Sequence, residues 1–300
     1  MGENRSAAFY LLAIFFAAYV IFLYGPMFAI FVLSFQGPDG GLTFPMNGFS
    51  LHWFYRLFVT GTGVIDIGTS FGRSARLGLV VALLTVVISV SAGMAFRKRF
   101  VGQAVVFYMA IASLIVPSII TSLGIALEFR LIDDWVKAND SWLPSFIGHD
   151  FSTSMGLFTS GLAAHLTWTL PFGLLIMFAI FNRFDQRYEE AARDLGATPW
   201  QTFRYVVLPI ILPSVIGIGL FGFTLSWDEI ARSSQAIGPV NTLPLDLQGL
   251  TTTVTNPDIY ALGTATTAVS FLVIGLALGL IAWLNRRQAR QGSDAGAGMV

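Results

Sequence analysis

Between Arg5 and Asp39 the chain carries no acidic or basic side chain. About 20 apolar residues cross the roughly 30 Å hydrocarbon core of a bilayer. A helix is the open-chain structure that satisfies its own backbone there. Six uncharged runs meet that length, at Ala7–Leu33, Leu77–Phe96, Val101–Leu127, Gly156–Asn182, Val206–Trp227 and Ile259–Leu284. His165 is their only titratable side chain apart from tyrosines. The composition agrees. The chain is 55% hydrophobic and 11% charged, with a mean hydropathy of +0.70, against about 25% charged residues in soluble domains. An all-α polytopic membrane protein with six transmembrane helices is expected. The first run is too long for a signal peptide and no convincing small-residue cleavage site follows it, so it reads as a retained helix.

Lys and Arg in the connecting segments set the orientation. With the N-terminus inside, eleven of the 17 fall on the inner side, including Arg97, Lys98 and Arg99 and the cluster Arg286, Arg287 and Arg290. Six fall outside, so an N-in/C-in topology is expected. The net charge of zero gives no general attraction to nucleic acid. The lack of cysteine excludes disulfides, thiolate metal sites and Cys nucleophiles. Three scattered histidines, His52, His149 and His165, offer neither a metal site nor the convergent groups of an intramembrane enzyme. No catalytic residue, metal or cofactor is expected. A secondary transporter working alone would show ionisable residues within several spans, and often an internal repeat; neither is visible.

One stretch breaks the apolar pattern. From Arg183 to Arg204 there are eight charged residues. Phe184, Tyr188, Ala191, Ala192 and Leu195 recur at helical spacing and define an apolar face. Arg187, Glu189, Arg193 and Asp194 occupy the opposite one. Gly196 follows, where a helix end favours a residue tolerant of the left-handed conformation. "TPWQ" then starts a second helix, with Thr198 as N-cap, Pro199 in the first turn and Gln201 completing a capping box. Leu208 and Pro209 close the stretch. A helix–Gly–helix elbow at the inner membrane face is expected, either as a plain connector or as a surface on which a partner docks.

Glu190-Ala191-Ala192, three residues, Gly196, nine residues and Val206-Val207-Leu208-Pro209 resemble the EAA motif of ABC importer permeases, with Val206 in place of its isoleucine. The resemblance runs from about Phe71 to Leu284. "GFSLHWFYRLF", "AHLTWTLPF", "FTLSWDEI" and "GPVNTLPL" are similar to the spermidine/putrescine subfamily, in particular its second permease subunit; opine, thiamine, iron and aminophosphonate permeases belong to the same subfamily.

The resemblance implies a type I importer permease in the bacterial inner membrane. Its partners would be an ATPase homodimer at the cytoplasmic face, a second and different permease, and an external solute-binding protein. ATP and Mg would be bound by the ATPase, since no phosphate-binding GxxxxGK[ST] loop occurs here. Residues 184–205 would form the coupling helix, with Glu190, Ala191, Ala192, Asp194, Leu195, Gly196, Ala197, Leu208 and Pro209 as coupling positions. The organisation would be an N-terminal helix and outer segment (1–71), a permease core (72–286) and a disordered tail (287–300). A polyamine or similar cation is the expected solute.

Trp227, Asp228 and Glu229 are the candidate substrate residues. Counting from Ile210, Asp228 lies roughly 27 Å up its helix. An acid at that depth that faces a cavity could meet a cation, and Trp227 could stack on one. Arg232 close by could instead neutralise one of the acids. His165 reads as a hydrogen-bonded packing residue. Other local expectations are kinks at Pro117 and Pro171, close helix contact at "SVSAG" (Ser89–Gly93), a hairpin of the second and third spans, and a short amphipathic helix at "LIDDWVKA".

Overall fold

The computed structural model describes residues 7–60, 66–139, 151–253 and 257–296. They form helices α1 (Ala7–Leu33), α2 (His52–Tyr55), α3 (Ile67–Phe96), α4 (Gln103–Ala112), α5 (Ser118–Ala138), α6 (Ser160–Phe181), α7 (Arg187–Asp194), α8 (Pro199–Thr202), α9 (Leu208–Trp227), α10 (Ala231–Ala236), α11 (Leu243–Thr253) and α12 (Asp258–Gly296). Short π-helical turns follow α2 and α8. The only extended pairing among the described residues is an isolated bridge between Gln36 and Phe49. His149 lies outside the described residues, as does the end of the tail; the backbone of α12 continues to Gly296.

Among the described residues, five helices are long and apolar enough to cross a membrane: Ala7–Leu33, Ile67–Phe96, Ser160–Phe181, Pro199–Trp227 and Asp258–Arg287. The run expected as a third span, kinked at Pro117, is instead two helices. Pro117 has ψ of 134° and stands outside α5 as its N-cap. It cannot continue the ladder from α4, because its nitrogen carries no proton. α5 then runs on through "LIDDWVKA", which is its last two turns and not a separate helix. Pro171 lies inside an unbroken α6.

The chain divides into two units. One joins residues 1–68 with 246–269. In it the buried Gln36 side chain accepts from Asn47 N at 2.7 Å and donates to Gly41 O at 3.2 Å. Trp53 Nε1 donates to the Gln36 carbonyl at 2.9 Å. Phe35 stacks on Phe49, and Tyr260 Oη donates to Leu42 O at 2.8 Å. These contacts give the Pro- and Gly-rich segment after α1 a defined path.

The other unit joins 69–245 with 270–300. Its core is set by Met177, Val207, Ile211 and Ile218, with Val86, Val90 and Met94 of α3 against them. The small-residue stretch of α3 allows this. A Cβ on Gly93 would fall 2.8 Å from Met177 Cβ, so α3 and α6 approach more closely there than any larger residue permits. α3 and α4 form the expected hairpin across Arg97–Gly102. Gln103 Nε2 caps the Phe96 carbonyl at 2.9 Å, and the Phe96, Phe107 and Phe178 rings meet in a cluster.

Candidate functional site

The polar island folds as an elbow. α7 ends in a Schellman motif. Gly196 N donates to Arg193 O at 2.8 Å and Ala197 N to Ala192 O at 3.0 Å, with Gly196 at φ +83°. This is the left-handed position that glycine occupies without penalty. Thr198 and Gln201 then make both halves of the capping box, Thr198 N to Gln201 Oε1 at 2.8 Å and Gln201 N to Thr198 Oγ1 at 3.3 Å. Two orphan donors of α8 are thereby satisfied. α8 passes through its π turn straight into α9, at Leu208 and Pro209.

The direction in which the elbow faces corrects the simple reading of its helical wheel. Glu189, placed on the polar face opposite the apolar one, points inward and is buried. Tyr188 and Leu195, placed on the apolar face, are exposed, Leu195 at 89%. Trp200 and Tyr205 are exposed as well. The reason is a buried partner. Arg97, at the end of α3, donates to Glu189 Oε1 at 2.5 Å, and Arg193 reaches Oε2 at 3.4 Å. Of the motif positions, Glu190, Ala191, Asp194 and Gly196 are exposed, while Ala192, Ala197, Leu208 and Pro209 are half-buried.

The second candidate group sits where α9 meets α10. Trp227 is completely buried; its ring stacks on Phe223 and takes the edge of Phe71. The expected stacking on a cation is therefore replaced by stacking within the chain. Glu229 is tied down: its Oε1 accepts from Arg232 N at 3.0 Å and its Oε2 pairs with Arg232 Nη1 at 3.3 Å. Asp228 is exposed and its carboxylate has no hydrogen-bond or ion-pair partner among the described residues. Partial desolvation raises its pKa above the usual carboxylate range.

The surrounding cluster is polar and closed. His165 of α6 bridges Ser226 (Nδ1, 2.8 Å) and Ser233 (Nε2, 3.0 Å), as expected of a packing histidine. Arg232 lies 4.7 Å from the Trp168 ring centre and donates to Ser118 Oγ at 3.0 Å. Ser122 Oγ donates to the Arg232 carbonyl at 2.9 Å. These bonds fix α10 against α5 and α6. Sequence reasoning missed Ser118, Ser122, Thr167 and Trp168 as partners of Arg232. The signal was a lone cation beside two acids, which names a pair but not the more distant helices that enclose it.

A further tie holds the far end of α5. Thr153 N and Oγ1 donate to Asp133 Oδ1 at 2.8 and 2.6 Å, and Ser154 N donates to Oδ2 at 2.8 Å. Burial alone would raise this carboxyl, but the hydrogen bonds outweigh it and hold its pKa at about 2.

Long apolar helices, packed through small residues and interrupted by one polar elbow whose apolar side chains face outward, define an integral membrane protein. Residues 85–290 match the family of binding-protein-dependent transport system inner membrane components, and the chain belongs to that family. It is 30% identical to the spermidine/putrescine transport system permease protein PotC of Haemophilus influenzae, over 89% of this chain and 93% of that one. It is also 30% identical to the putrescine transport system permease protein PotI of Escherichia coli, over 90% of this chain and 88% of that one. Among solved structures it resembles a bacterial ABC transporter involved in the import of the acidic polysaccharide alginate, with a TM-score of 0.58, 15% identity, and coverage of 94% of this chain and 99% of that one. It also resembles the MetNI methionine ABC transporter, with a TM-score of 0.54, 15% identity, and coverage of 73% and 95%. The chain is thus an inner membrane permease component with the fold of ABC importer transmembrane subunits.

Proposed function

We propose that the chain is one of two different permeases in an ATP-driven importer of a polyamine or similar small organic cation. It lies N-in/C-in. The elbow stands at the cytoplasmic face and docks on a separate ATPase subunit, which binds and hydrolyses ATP. A binding protein delivers the solute from outside. The observation that carries this reading is the outward set of Tyr188, Leu195, Trp200 and Tyr205 on a rigidly capped elbow. Apolar side chains left in water beside a fixed, exposed Glu190 and Ala191 suit a partner's groove better than a free surface. Glu190, Ala191, Ala192, Asp194, Leu195, Gly196 and Ala197 make the contact, and Leu208 and Pro209 carry it into α9.

The choice of cation rests on two supports. The chain shares its near-full length with polyamine permeases, and Asp228 has no partner among the described residues where Arg232 neutralises Glu229.

The test is reconstitution of the chain with its cognate second permease and ATPase in lipid, with and without the binding protein. ATP hydrolysis and uptake of labelled spermidine and putrescine are followed for wild type and Gly196→Asp. Stimulated hydrolysis with uptake, both lost in Gly196→Asp while the complex still forms, supports the reading. Uptake by the chain with no ATPase bound overturns it.

A further inference from the structure

The elbow is seated on the rest of its unit at its two ends by apolar packing of Phe184 and Phe203, and at α7 between them by a charge pair. Arg97 immediately follows α3, and the Arg97 and Glu189 side chains are only 13% and 10% exposed. The same guanidinium lies 5.1 Å from the Phe181 ring and 5.3 Å from that of Phe184, at and just beyond the end of α6. One side chain therefore joins three elements: α3 through the backbone, α6 through cation–π contact, and α7 through Glu189. Around this knot the elbow stands over a cavity of about 390 Å³, lined by Met94, Gln186, Pro199, Thr202 and Phe203 among others. Apolar packing does not fill that gap. One turn back along α3, Gly93 brings α3 and α6 into close contact, so the knot grips two helices already held together.

A buried ion pair adds little net stability, because desolvation offsets its attraction. What it adds here is fixed geometry. We propose that Arg97 and Glu189 are positioning residues, a strut across the cavity through which displacement of the elbow moves the ends of α3 and α6 together. This rests on the elbow being the ATPase contact. Without the strut, a push on α7 would be absorbed by closure of the cavity.

The experiment uses the full reconstituted complex and compares Arg97→Gln, Glu189→Gln and the exchanged double variant Arg97→Glu/Glu189→Arg. Co-purification of the ATPase, ATP hydrolysis and solute taken up per ATP are read separately. Neither residue lies on the exposed docking side, so the single variants are expected to bind the ATPase and hydrolyse ATP. Their uptake per ATP is expected to fall at least tenfold, and the exchanged pair to recover it to within about threefold of wild type. Wild-type uptake per ATP in either single variant overturns the strut. So does an assembled exchanged pair that recovers nothing, or a loss of assembly in the singles that the exchange does not reverse. Absence of an ATPase from the wild-type complex is a separate outcome, which removes the importer reading itself.

Discussion

Arg232 and Glu229, three residues apart, face each other where α9 gives way to α10, with Nη1 and Oε2 3.3 Å apart and the Arg232 side chain 1% exposed. Among the described residues the carboxylate is the only anion that holds this cation; Ser118 and Thr167 supply hydroxyls. Glu229→Gln leaves a buried charge without its counter-ion. Removing one partner of a buried pair costs about 3 kcal/mol or more. The purified variant is expected to unfold at a clearly lower temperature than wild type, and equal thermal midpoints would show that the pair is not holding α10.

Asp228 is expected to behave differently. Its carboxylate has no partner among the described residues and is partly desolvated, so Asp228→Asn is expected not to lower the thermal midpoint. If Asp228 meets the cationic solute, the substitution removes a charge-assisted hydrogen bond, and half-saturation of spermidine uptake rises about tenfold. ATPase assembly is unaffected. Unaltered uptake kinetics would remove Asp228 from the pathway.

Leu195 projects from the end of α7 and touches little of its own chain. Leu195→Asp is expected to alter the stability of the isolated chain by no more than about 0.5 kcal/mol. If the elbow docks in a groove of the ATPase as proposed, the substitution places a charge against that groove, and ATPase retention during co-purification is expected to be lost. A variant that retains the ATPase would place the contact elsewhere on the elbow.

The tie from Asp133 to Thr153 and Ser154 makes stability depend on acid. The folded pKa of about 2 lies below the unfolded value of roughly 3.9. The contribution is therefore complete above about pH 4 and is lost as pH falls towards 2. Thermal midpoints measured across that range are expected to drop more steeply for wild type than for Asp133→Asn, which has no proton to gain. Parallel curves would contradict the assignment.

Much of this was legible in the residues. The uncharged runs locate the long helices because a bilayer leaves few other solutions. Gly196, Thr198, Pro199 and Gln201 announce the elbow because caps are local chemistry. What the chain's pattern does not disclose is which way a face looks. α7 has a clear apolar side, but periodicity says only that Tyr188 and Leu195 lie together on it. The cation that draws Glu189 inward is 92 residues away at Arg97. Trp227 misled for a related reason: an aromatic beside two acids suits a cation site and an aromatic core equally, and Phe71 and Phe223 decide between them. Pro117 was visible, but whether it kinks a helix or separates two depends on the turn before it.

The outward Leu195, Trp200 and Tyr205 also bear on the chain before it meets any partner. A newly inserted copy carries a greasy, rigid projection in an aqueous compartment, next to every other copy made at the same time. Such a surface promotes self-association and recognition by proteases until it is covered. If the elbow is the ATPase contact proposed above, its lifetime in the cell is set by the supply of that subunit, and overproduction of this chain alone is expected to yield clumped and degraded material where balanced co-synthesis yields complex.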